Sequence, residues 1–478
     1  MNRYLVMMAT VMLAGSAALT AAPAGARALA VTSSGGGTWG QAKQVPGLAT
    51  LSKGGSAAIL AVSCASAGNC SAGGHYAVRG RRLQAFVVSQ VNGTWHSAKE
   101  VPGTATLNRY GAQITSVSCA SAGNCSAGGH YTDSSKRQQA FVVSQVNGTW
   151  GTAEEVPGTA VLNEGGKAQV NSVSCGAPGN CSAGGRYMDN SGNVQAFVVS
   201  DVNGTWGTAE EVPGNSTLNT GGDAVVISVS CGSAGNCSAG GFYSVNTPAP
   251  ASEPFVVSQV NGTWGHAEQV AGALNRGYEA QTSSVSCASA GNCSAGGYYS
   301  DSSGQQAFVV SQVNGTWGTA EEVPGTAALN QGGLAYVTSV SCASAGSCSA
   351  GGGYQTNYGQ AFVVSQVNGT WGTAEEVPGL AMFNQGPAKT TSVSCGLAGN
   401  CSAGGFYSSS SSQQAAFVVS QVNGTWGTAE QVPGTTSSYQ YARAQTNSVS
   451  CASASHCSAG GYYADSSGNG LAFVVSRT

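Results

Sequence analysis

Charged side chains are scarce in this sequence, since Asp, Glu, Lys and Arg together make up 8% of its 478 residues. Long helix-forming runs of Leu, Glu and Lys are missing too, which argues against a helical protein. The chain is net acidic and offers no basic patch, so neither nucleic acid nor an anionic membrane surface is an expected partner. The P-loop, the H-E-x-x-H metal motif and the G-x-S-x-G nucleophile motif are also absent.

A long apolar run occurs only at the N-terminus, where Arg3 precedes the stretch from Tyr4 to Ala22. Small residues follow and end in Ala28-Leu29-Ala30, the pattern of a secretory signal peptide. We therefore expect a signal peptide over residues 1–30 and a mature chain with 15 basic and 20 acidic residues. All 16 cysteines lie in the mature chain, which suits a secreted, extracellular protein. A single membrane anchor is the alternative, although Gly15, Ser16 and Pro23 interrupt the run.

Glycine is abundant, with 71 residues, and the chain is built from internal repeats. Tryptophan always follows Gly-Thr, at spacings of 53 to 58 residues. The eight tryptophans are Trp39, Trp95, Trp150, Trp206, Trp264, Trp317, Trp371 and Trp426. The cysteines follow the same period as eight C-x5-C pairs. These pairs are Cys64/Cys70, Cys119/Cys125, Cys175/Cys181, Cys231/Cys237, Cys287/Cys293, Cys342/Cys348, Cys395/Cys401 and Cys451/Cys457.

Each copy predicts four short strands, called a to d. Strand a ends in S-V-S-C, strand b reads C-S-A-G-G-x-Y, strand c is typified by Ala140 to Val146, and strand d by Thr149 to Val156. Strand c is rich enough in β-branched and aromatic residues to be buried on both faces. Asn147-Gly148 joins c to d, and Asn-Gly between two such runs indicates a type I′ hairpin.

Four strands in about 55 residues, repeated eight times, predict an all-β fold that resembles an eight-bladed β-propeller. The repeats start with a lone strand d, Thr38 to Val45, and stop after a lone a-b-c set that ends at Ser476. We expect these two parts to complete the eighth blade and close one propeller domain over residues 31–478. An open solenoid would instead need distinct polar caps.

At the level of the family, the chain resembles the secreted tandem-repeat propellers of the actinobacterial type. Its Ser-Gln-Val-Asn-Gly-Thr-Trp hairpin is also distantly similar to the Asp-box turn of sialidase-type propellers, S-x-D-x-G-x-T-W. Val146 stands where the Asp-box has its Asp, and Trp150 comes one residue early. No sialidase arginine triad or nucleophile is implied by this resemblance.

The cysteine pairs predict eight local disulfides, because each pair flanks one short turn and leaves no thiol over. Closing so short a loop contributes about 2 kcal/mol per bond. Zinc sites prefer C-x2-4-C with matching partner ligands, so neither a metal site nor a cofactor is expected. The singletons Arg186, Asp223 and Glu279 break the repeat without a recognisable partner, and no catalytic residue is assigned.

The a–b and c–d connections hardly vary among copies, whereas the b–c and d–a connections carry most of the variation. We therefore predict ligand binding on the face of the variable connections. Strand b delivers a tyrosine there in every copy: Tyr76, Tyr131, Tyr187, Tyr243, Tyr299, Tyr354, Tyr407 and Tyr463. The d–a segments carry the asparagines Asn108, Asn163, Asn219, Asn275, Asn330 and Asn384. The alternative is structural: tyrosine seals each blade, and Asp133 and its equivalents only form turns.

Tyrosine beside neutral amides suits a hydroxyl-rich ligand. The sequence thus favours a secreted, non-enzymatic binding or adhesion module, a monomer with several lectin-like sites for carbohydrate or a cell-envelope partner. A hydrolase or lyase on a propeller scaffold, acting on an extracellular polymer, is the second hypothesis. A purely structural surface protein is the third.

Overall fold

Eight antiparallel sheets of four strands repeat along the chain in the computed structural model, which describes residues 37–80, 82–246, 251–272, 274–277, 279–410 and 413–478. The predicted signal peptide, residues 1–30, lies outside these ranges. Each sheet is one blade, numbered from the first complete repeat. Strands a, b and c pair in that order, and strand d pairs with the outer edge of c.

The strands have similar bounds in all blades. Strand a spans Ala57–Ser66, Gly111–Ser121, Gln169–Ala177, Ala224–Ser233, Gln281–Ser289, Ala335–Ser344, Lys389–Leu397 and Ala444–Cys451. Strand b spans Asn69–Ala77, Asn124–Thr132, Asn180–Met188, Asn236–Val245, Asn292–Asp301, Ser347–Gln355, Asn400–Ser408 and Cys457–Ala464. Strand c spans Leu83–Val91, Gln138–Val146, Val194–Val202, Ala251–Val260, Gly304–Val313, Gly359–Val367, Gln414–Val422 and Gly470–Arg477.

Strand d is interrupted, unlike the continuous strand expected from the sequence. Its two segments are Thr94–Trp95 and Lys99–Glu100, Thr149–Trp150 and Glu154–Glu155, Thr205–Trp206 and Glu210–Glu211, Thr263–Trp264 and Glu268–Gln269, Thr316–Trp317 and Glu321–Glu322, Thr370–Trp371 and Glu375–Glu376, and Thr425–Trp426 and Glu430–Gln431. In blade 2 the interruption arises because the Ala153 N–H leaves strand c and donates to the Pro102 carbonyl of the preceding blade, at 2.8 Å.

The ring is closed by the predicted strand exchange. Lys43–Gln44 pairs antiparallel with strand c of blade 8, with Lys43 opposite Val474 and Gln44 opposite Phe473. Strand a of blade 1 packs against strands a, b and c of blade 8. The fold is therefore an eight-bladed β-propeller, as the phase of the repeats predicted.

A ring of serine hydroxyls joins the innermost strands. Strand a of each blade lies against strand a of both neighbours. The serine that precedes the first cysteine of each blade accepts a hydrogen bond from the N–H of the corresponding cysteine in the next blade, at 2.9–3.0 Å. We call these residues the serine ring: Ser63, Ser118, Ser174, Ser230, Ser286, Ser341, Ser394 and Ser450. The repeated S-V-S-C motif thus supplies small side chains that also bond between blades.

The paired glycines of strand b are required by close packing. A Cβ atom on Gly128 would collide with Val170 of blade 3, and one on Gly129 with the Gln113 carbonyl of its own blade. In other blades the ring of the strand-c phenylalanine, such as Phe197, also lies over the second glycine. These glycines let each sheet approach its neighbour and its own strand a.

The turns agree with their sequence signals, with one addition. Asn147 and Gly148 have φ of 50° and 81°, as a type I′ turn requires. The segment after Pro-Gly forms a one-turn helix that the sequence analysis did not anticipate. These helices span Leu48–Leu51, Thr104–Leu107, Thr159–Leu162, Asn215–Leu218 and Thr326–Leu329, with a 3-10 turn at Leu380–Met382.

Eight local disulfides pin the a–b turns, in the predicted pairing. Their presence fits an oxidising environment. Strand c is buried on both faces, as Ala140 to Val143 illustrate with exposures of 0–2%. Among the described residues, no helix is long and apolar enough to cross a membrane.

The two cysteines of each disulfide differ in burial, which the sequence analysis did not distinguish. The first cysteine is partly buried in every blade: Cys64, Cys119, Cys175, Cys231, Cys287, Cys342, Cys395 and Cys451. The second is buried, at 2–4% exposure: Cys70, Cys125, Cys181, Cys237, Cys293, Cys348, Cys401 and Cys457. The difference arises because strand a borders the axis of the ring, whereas strand b lies between strands a and c.

Deleting residues 38–45 should reduce stability and promote aggregation. The deletion exposes the unpaired edge of strand c in blade 8 and removes Trp39 and Val45 from the core. Thermal unfolding and light scattering of the truncated and full-length proteins would measure this. A truncated protein that unfolds at the same temperature and stays monodisperse would contradict the closure argument.

Candidate functional site

The two faces of the ring carry different connections. The a–b and c–d turns lie at one end of every sheet, and this end is called the hairpin face. The b–c and d–a connections lie at the other end, called the loop face. The sequence analysis placed ligand binding on the loop face.

The tyrosines predicted as binding platforms lie inside the blades. Seven of the eight are 2–4% exposed, and Tyr463 is partly buried. The hydroxyls of Tyr76 and Tyr131 donate to Glu100 and Glu155 of strand d, each at 3.0 Å. Burial, reinforced by the glutamate, raises the pKa of both tyrosines. These contacts support the structural alternative, in which tyrosine seals each blade, while a binding role stays a prediction.

The d–a asparagines organise the loops in which they lie. The Asn163 side-chain amide donates to Gln139 Oε1 at 2.8 Å, and its oxygen accepts from the Lys167 N–H at 2.7 Å. The same bond to a strand-c glutamine recurs at Asn108, Asn219, Asn330 and Asn384. Asn275 donates to the Ser252 carbonyl instead. The described bonds occupy these amides within the protein, so they too fit a structural role.

Asp133 forms a turn, as the structural alternative proposed. Its carboxylate accepts from the N–H groups of Ser135 and Arg137 and from the Gln139 side chain. Partial burial opposes ionisation, but these hydrogen bonds prevail and lower the pKa of Asp133.

The buried cysteines contribute contacts between blades and no reactive thiol. No free cysteine occurs in the described part of the chain. The sulfur of each second cysteine lies 3.3–3.5 Å from a serine hydroxyl of the preceding blade, a contact in which only the serine could donate, because a disulfide sulfur carries no hydrogen. The cysteines concerned are Cys70, Cys125, Cys181, Cys237, Cys293, Cys348, Cys401 and Cys457. Their place among the candidate site residues is therefore structural: they belong to the core rather than to an accessible site.

The singleton residues do not assemble into a recognisable catalytic group. Burial raises the pKa of Asp223 against the opposing charge of Arg186, and the Glu279 carbonyl accepts from Ser300. His456 Nδ1 lies 3.1 Å from the hydroxyls of Ser453 and Ser455 on an exposed turn. Within the described ranges, no group of three or more His, Cys, Asp or Glu side chains is placed to hold a metal ion.

Concave sites occur instead on the hairpin face, in the clefts between neighbouring blades. Clefts lie between blades 8 and 1, 1 and 2, 2 and 3, and 6 and 7, with volumes of about 260, 240, 420 and 400 Å³. Each is lined by equivalent residues of the repeats. These are the second cysteine, the last residue but one of the strand-c motif, such as Gln145 before Val146, and residues of the a–b and c–d turns. These clefts were not predicted from the sequence, because their turns hardly vary among the repeats and variation was taken as the mark of a binding face.

A glutamine of strand c lies at the base of the clefts. Six blades carry it, at 0–4% exposure: Gln90, Gln145, Gln259, Gln312, Gln366 and Gln421. In each, the amide nitrogen donates to a glycine carbonyl of its own c–d turn and to a serine hydroxyl of the preceding blade. This position therefore links neighbouring blades.

The carbonyl oxygens of these glutamines are not equally paired. Gln145 and Gln259 accept from Ser71 and Ser182 of the preceding blade. The buried oxygens of the other four, Gln90, Gln312, Gln366 and Gln421, have no hydrogen-bond donor within the protein. A buried acceptor without a donor costs about 1–3 kcal/mol, so each of these oxygens needs a hydrogen-bond donor from a water molecule or a ligand.

Two blades depart from glutamine at this position. Arg477 of blade 8 is 2% exposed and donates to the carbonyls of Gly37 and Ala454, which ties the closing strand in place. Asp201 of blade 3 is also 2% exposed, but among the described residues no group makes a hydrogen bond of normal geometry to its oxygens. Burial raises the pKa of Asp201 to about 6 against the lowering effect of the Gly204 N–H, and the Glu154 charge adds to the rise. The signal for Asp201 was in the sequence, as the only acidic residue at this repeat position.

No family model matches the sequence, and no curated protein matches it either. Among solved structures, Sqt1 from Chaetomium thermophilum is similar over 91% of this chain and 98% of its own, with 10% identity and a TM-score of 0.50. The β-propeller domain of the Trilobed protease from Pyrococcus furiosus is 7% identical over 79% of this chain and 97% of its own, with a TM-score of 0.43. The Hadza microbial sialidase Hz136 is 9% identical over 82% and 68%, with a TM-score of 0.42. What these proteins share with the chain is the propeller fold.

The structural role of the tyrosines can be tested at Tyr131. Tyr131→Phe should cost about 1 kcal/mol, because it removes the bond to Glu155, and Tyr131→Ala about 3–5 kcal/mol, because it also empties the core beside Phe141. Denaturant unfolding of both variants would measure these costs. A stable Tyr131→Ala protein that had lost polymer binding would instead support the platform hypothesis.

Replacing Asp201 by the glutamine of the other blades should stabilise the protein at pH 7. The folded-state pKa, about 6, lies above the ordinary value of 3.8, so folding is penalised while the carboxylate is ionised. Asp201→Gln should therefore gain about 1–3 kcal/mol at pH 7, and the gain should shrink as the pH falls from 6 to 4. Unfolding of the variant and the unmodified protein across this range would test it. A difference that does not change between pH 4 and 8 would contradict the assignment.

Proposed function

We propose that the protein is a secreted, non-enzymatic binding module that recognises a hydroxyl-rich polymer, a carbohydrate or another cell-envelope component, through repeated clefts on the hairpin face. The proposal keeps the binding function expected from the sequence and moves the site to the opposite face. The proposal includes a cleavable signal peptide over residues 1–30. It rests mainly on the four buried glutamine oxygens that have no donor within the protein.

The chemistry of the clefts suits neutral hydroxyl groups. In the cleft between blades 6 and 7, Gln366 and Gln421 supply acceptors, Ser349 and Ser365 supply hydroxyls, and Asn368 belongs to the bordering turn. This lining has no ionisable side chain. A sugar hydroxyl donating to a glutamine oxygen would satisfy an acceptor that folding leaves unpaired. At about 400 Å³, the cleft falls in the size range of small-ligand sites.

Repetition around the ring supports recognition of a polymer. Clefts of the same construction recur between several pairs of blades, each with few polar contacts. Weak sites that engage one polymer or surface together gain avidity without any one of them being strong. The disulfide beside each cleft and the serine ring hold the sites in a rigid arrangement, which lowers the entropic cost of multivalent binding.

The experiment is a glycan array and a cell-wall pull-down, followed by titration of the best polymer. Gln366→Met and Gln421→Met remove the acceptors at nearly constant volume, and adding Gln90→Met and Gln312→Met removes all four. We expect a graded loss, about threefold for one substitution and more than tenfold for four, because each site contributes to avidity. Melting temperatures would exclude loss by unfolding.

The matched control lies on the loop face, where Asp133→Ala and Asp301→Ala alter surface turns and should leave binding unchanged. Loss of binding in these variants with normal binding in the glutamine variants would contradict the proposal and return the site to the loop face. Absence of saturable binding would favour a structural protein. Depolymerisation of the bound polymer would favour the hydrolase or lyase hypothesis.

A further inference from the structure

The cleft between blades 2 and 3 differs from the others in one residue at its base. Asp201 occupies the position of the glutamine, and its carboxylate cannot donate a hydrogen bond when ionised. In the glutamine blades, the side-chain nitrogen donates to a turn glycine carbonyl at 3.2 Å and to a serine hydroxyl at 2.7–3.3 Å. In blade 3 the corresponding acceptors, the Gly204 carbonyl and the Ser144 hydroxyl, receive no donor from residue 201.

The substitution also leaves a buried negative charge. Asp201 is 2% exposed, and among the described residues no group makes a hydrogen bond of normal geometry to its carboxylate, although the Gly204 N–H lies near enough to lower its pKa. Glu154 is the charged group that acts on it, and it has the same sign. An ionised carboxylate in such surroundings is costly unless a cation accompanies it.

The cleft above the buried Asp201 carboxylate is large enough for a small ligand. Aspartate is one methylene shorter than glutamine, so the space that the amide nitrogen fills in other blades is not filled by residue 201. This cleft measures about 420 Å³, compared with about 240 Å³ between blades 1 and 2 and about 400 Å³ in the glutamine-lined cleft between blades 6 and 7. Ser126, Ser144 and Gln145 line it beside Asp201 and provide further polar atoms.

We propose that the cleft between blades 2 and 3 binds a primary ammonium group, whose nitrogen takes the place of the missing glutamine amide between the Asp201 carboxylate, the Gly204 carbonyl and the Ser144 hydroxyl. This deepens the proposed function, because it names the chemistry that one of the clefts selects. A tetrahedral ammonium has three donors for these acceptors and neutralises the buried charge. A divalent metal ion is a poorer match, because the lining of this cleft contains a single carboxylate.

Amino sugars and lysine side chains both present such an ammonium, so the test uses both. Oligomers of glucosamine, whose amines are substantially protonated at about pH 6.5, and of N-acetylglucosamine, which are neutral, would be titrated at that pH by calorimetry, together with a lysine tetrapeptide. The intact protein should bind the cationic oligomer about tenfold or more tightly than the neutral one. Affinity for the ammonium probes should fall below about pH 6, as Asp201 becomes protonated.

Three variants make the test specific. Asp201→Gln restores the residue of six other blades, so it should fold, and it should lose the preference for ammonium. Gln421→Asp, at the equivalent position of blade 7, should create a second ammonium site. Glu210→Gln removes an exposed charge from the same blade and should change nothing.

Equal affinity for the cationic and neutral oligomers, or a preference that survives in Asp201→Gln, would overturn the proposal. So would failure of both ammonium probes to bind the intact protein. Binding of a neutral polymer through the glutamine clefts is measured separately with the glutamine variants, so its outcome does not depend on the result for Asp201. If only the sugar or only the peptide binds, and binding depends on Asp201, the proposal holds and the source of the ammonium is identified.

Discussion

The architecture depends on how closely eight innermost strands can approach one another. Strand a meets its counterparts along edges that no β-ladder pairs, and the serine ring bonds these edges instead. Each of the eight cysteine N–H groups finds a serine hydroxyl of the preceding blade. A second set of such bonds reaches the valine N–H of seven blades. Val117 of blade 2 has no such bond, because Ala61 stands in blade 1 where the other blades have a serine. Buried backbone donors must be paired, so small hydroxyl residues at this radius are a condition of the ring.

The polar groups of the two faces differ in how completely they are paired by hydrogen bonds. On the loop face, tyrosine hydroxyls of several blades bond to strand-d glutamates and asparagine amides bond to strand-c glutamines, although Glu100 Oε1 and Asn215 Oδ1 have no partner among the described residues. On the hairpin face, the glutamine nitrogen is satisfied between blades, but its oxygen is left without a donor in four of them. The repeated unpaired acceptor therefore belongs to the face whose connections hardly vary in sequence.

Asp201 shows how one substitution changes a repeated position. Glutamine at this point joins two blades, and Arg477 at the equivalent point fastens the closing strand. Asp201 does neither and carries a pKa raised to about 6. Asp201 lacks the hydrogen bonds that glutamine makes to the preceding blade, and the stability of the propeller does not explain why it occurs there.

Much of the fold was determined by the sequence alone. The period of Trp150 and its equivalents, the Asn147-Gly148 turn and the Cys119/Cys125 spacing predicted blades, hairpins and disulfides, because these depend on residues close together in the chain. The phase of the repeats also predicted the closing strand.

The interruption of strand d was decided by a contact with the neighbouring blade, the bond from Ala153 to Pro102. The burial of Tyr131 and the cleft around Asp201 were likewise decided only by tertiary structure. Whether the oxygen of Gln145 finds a donor depends on Ser71, which lies 74 residues earlier in the preceding blade, and a pattern of neighbouring residues does not record that contact.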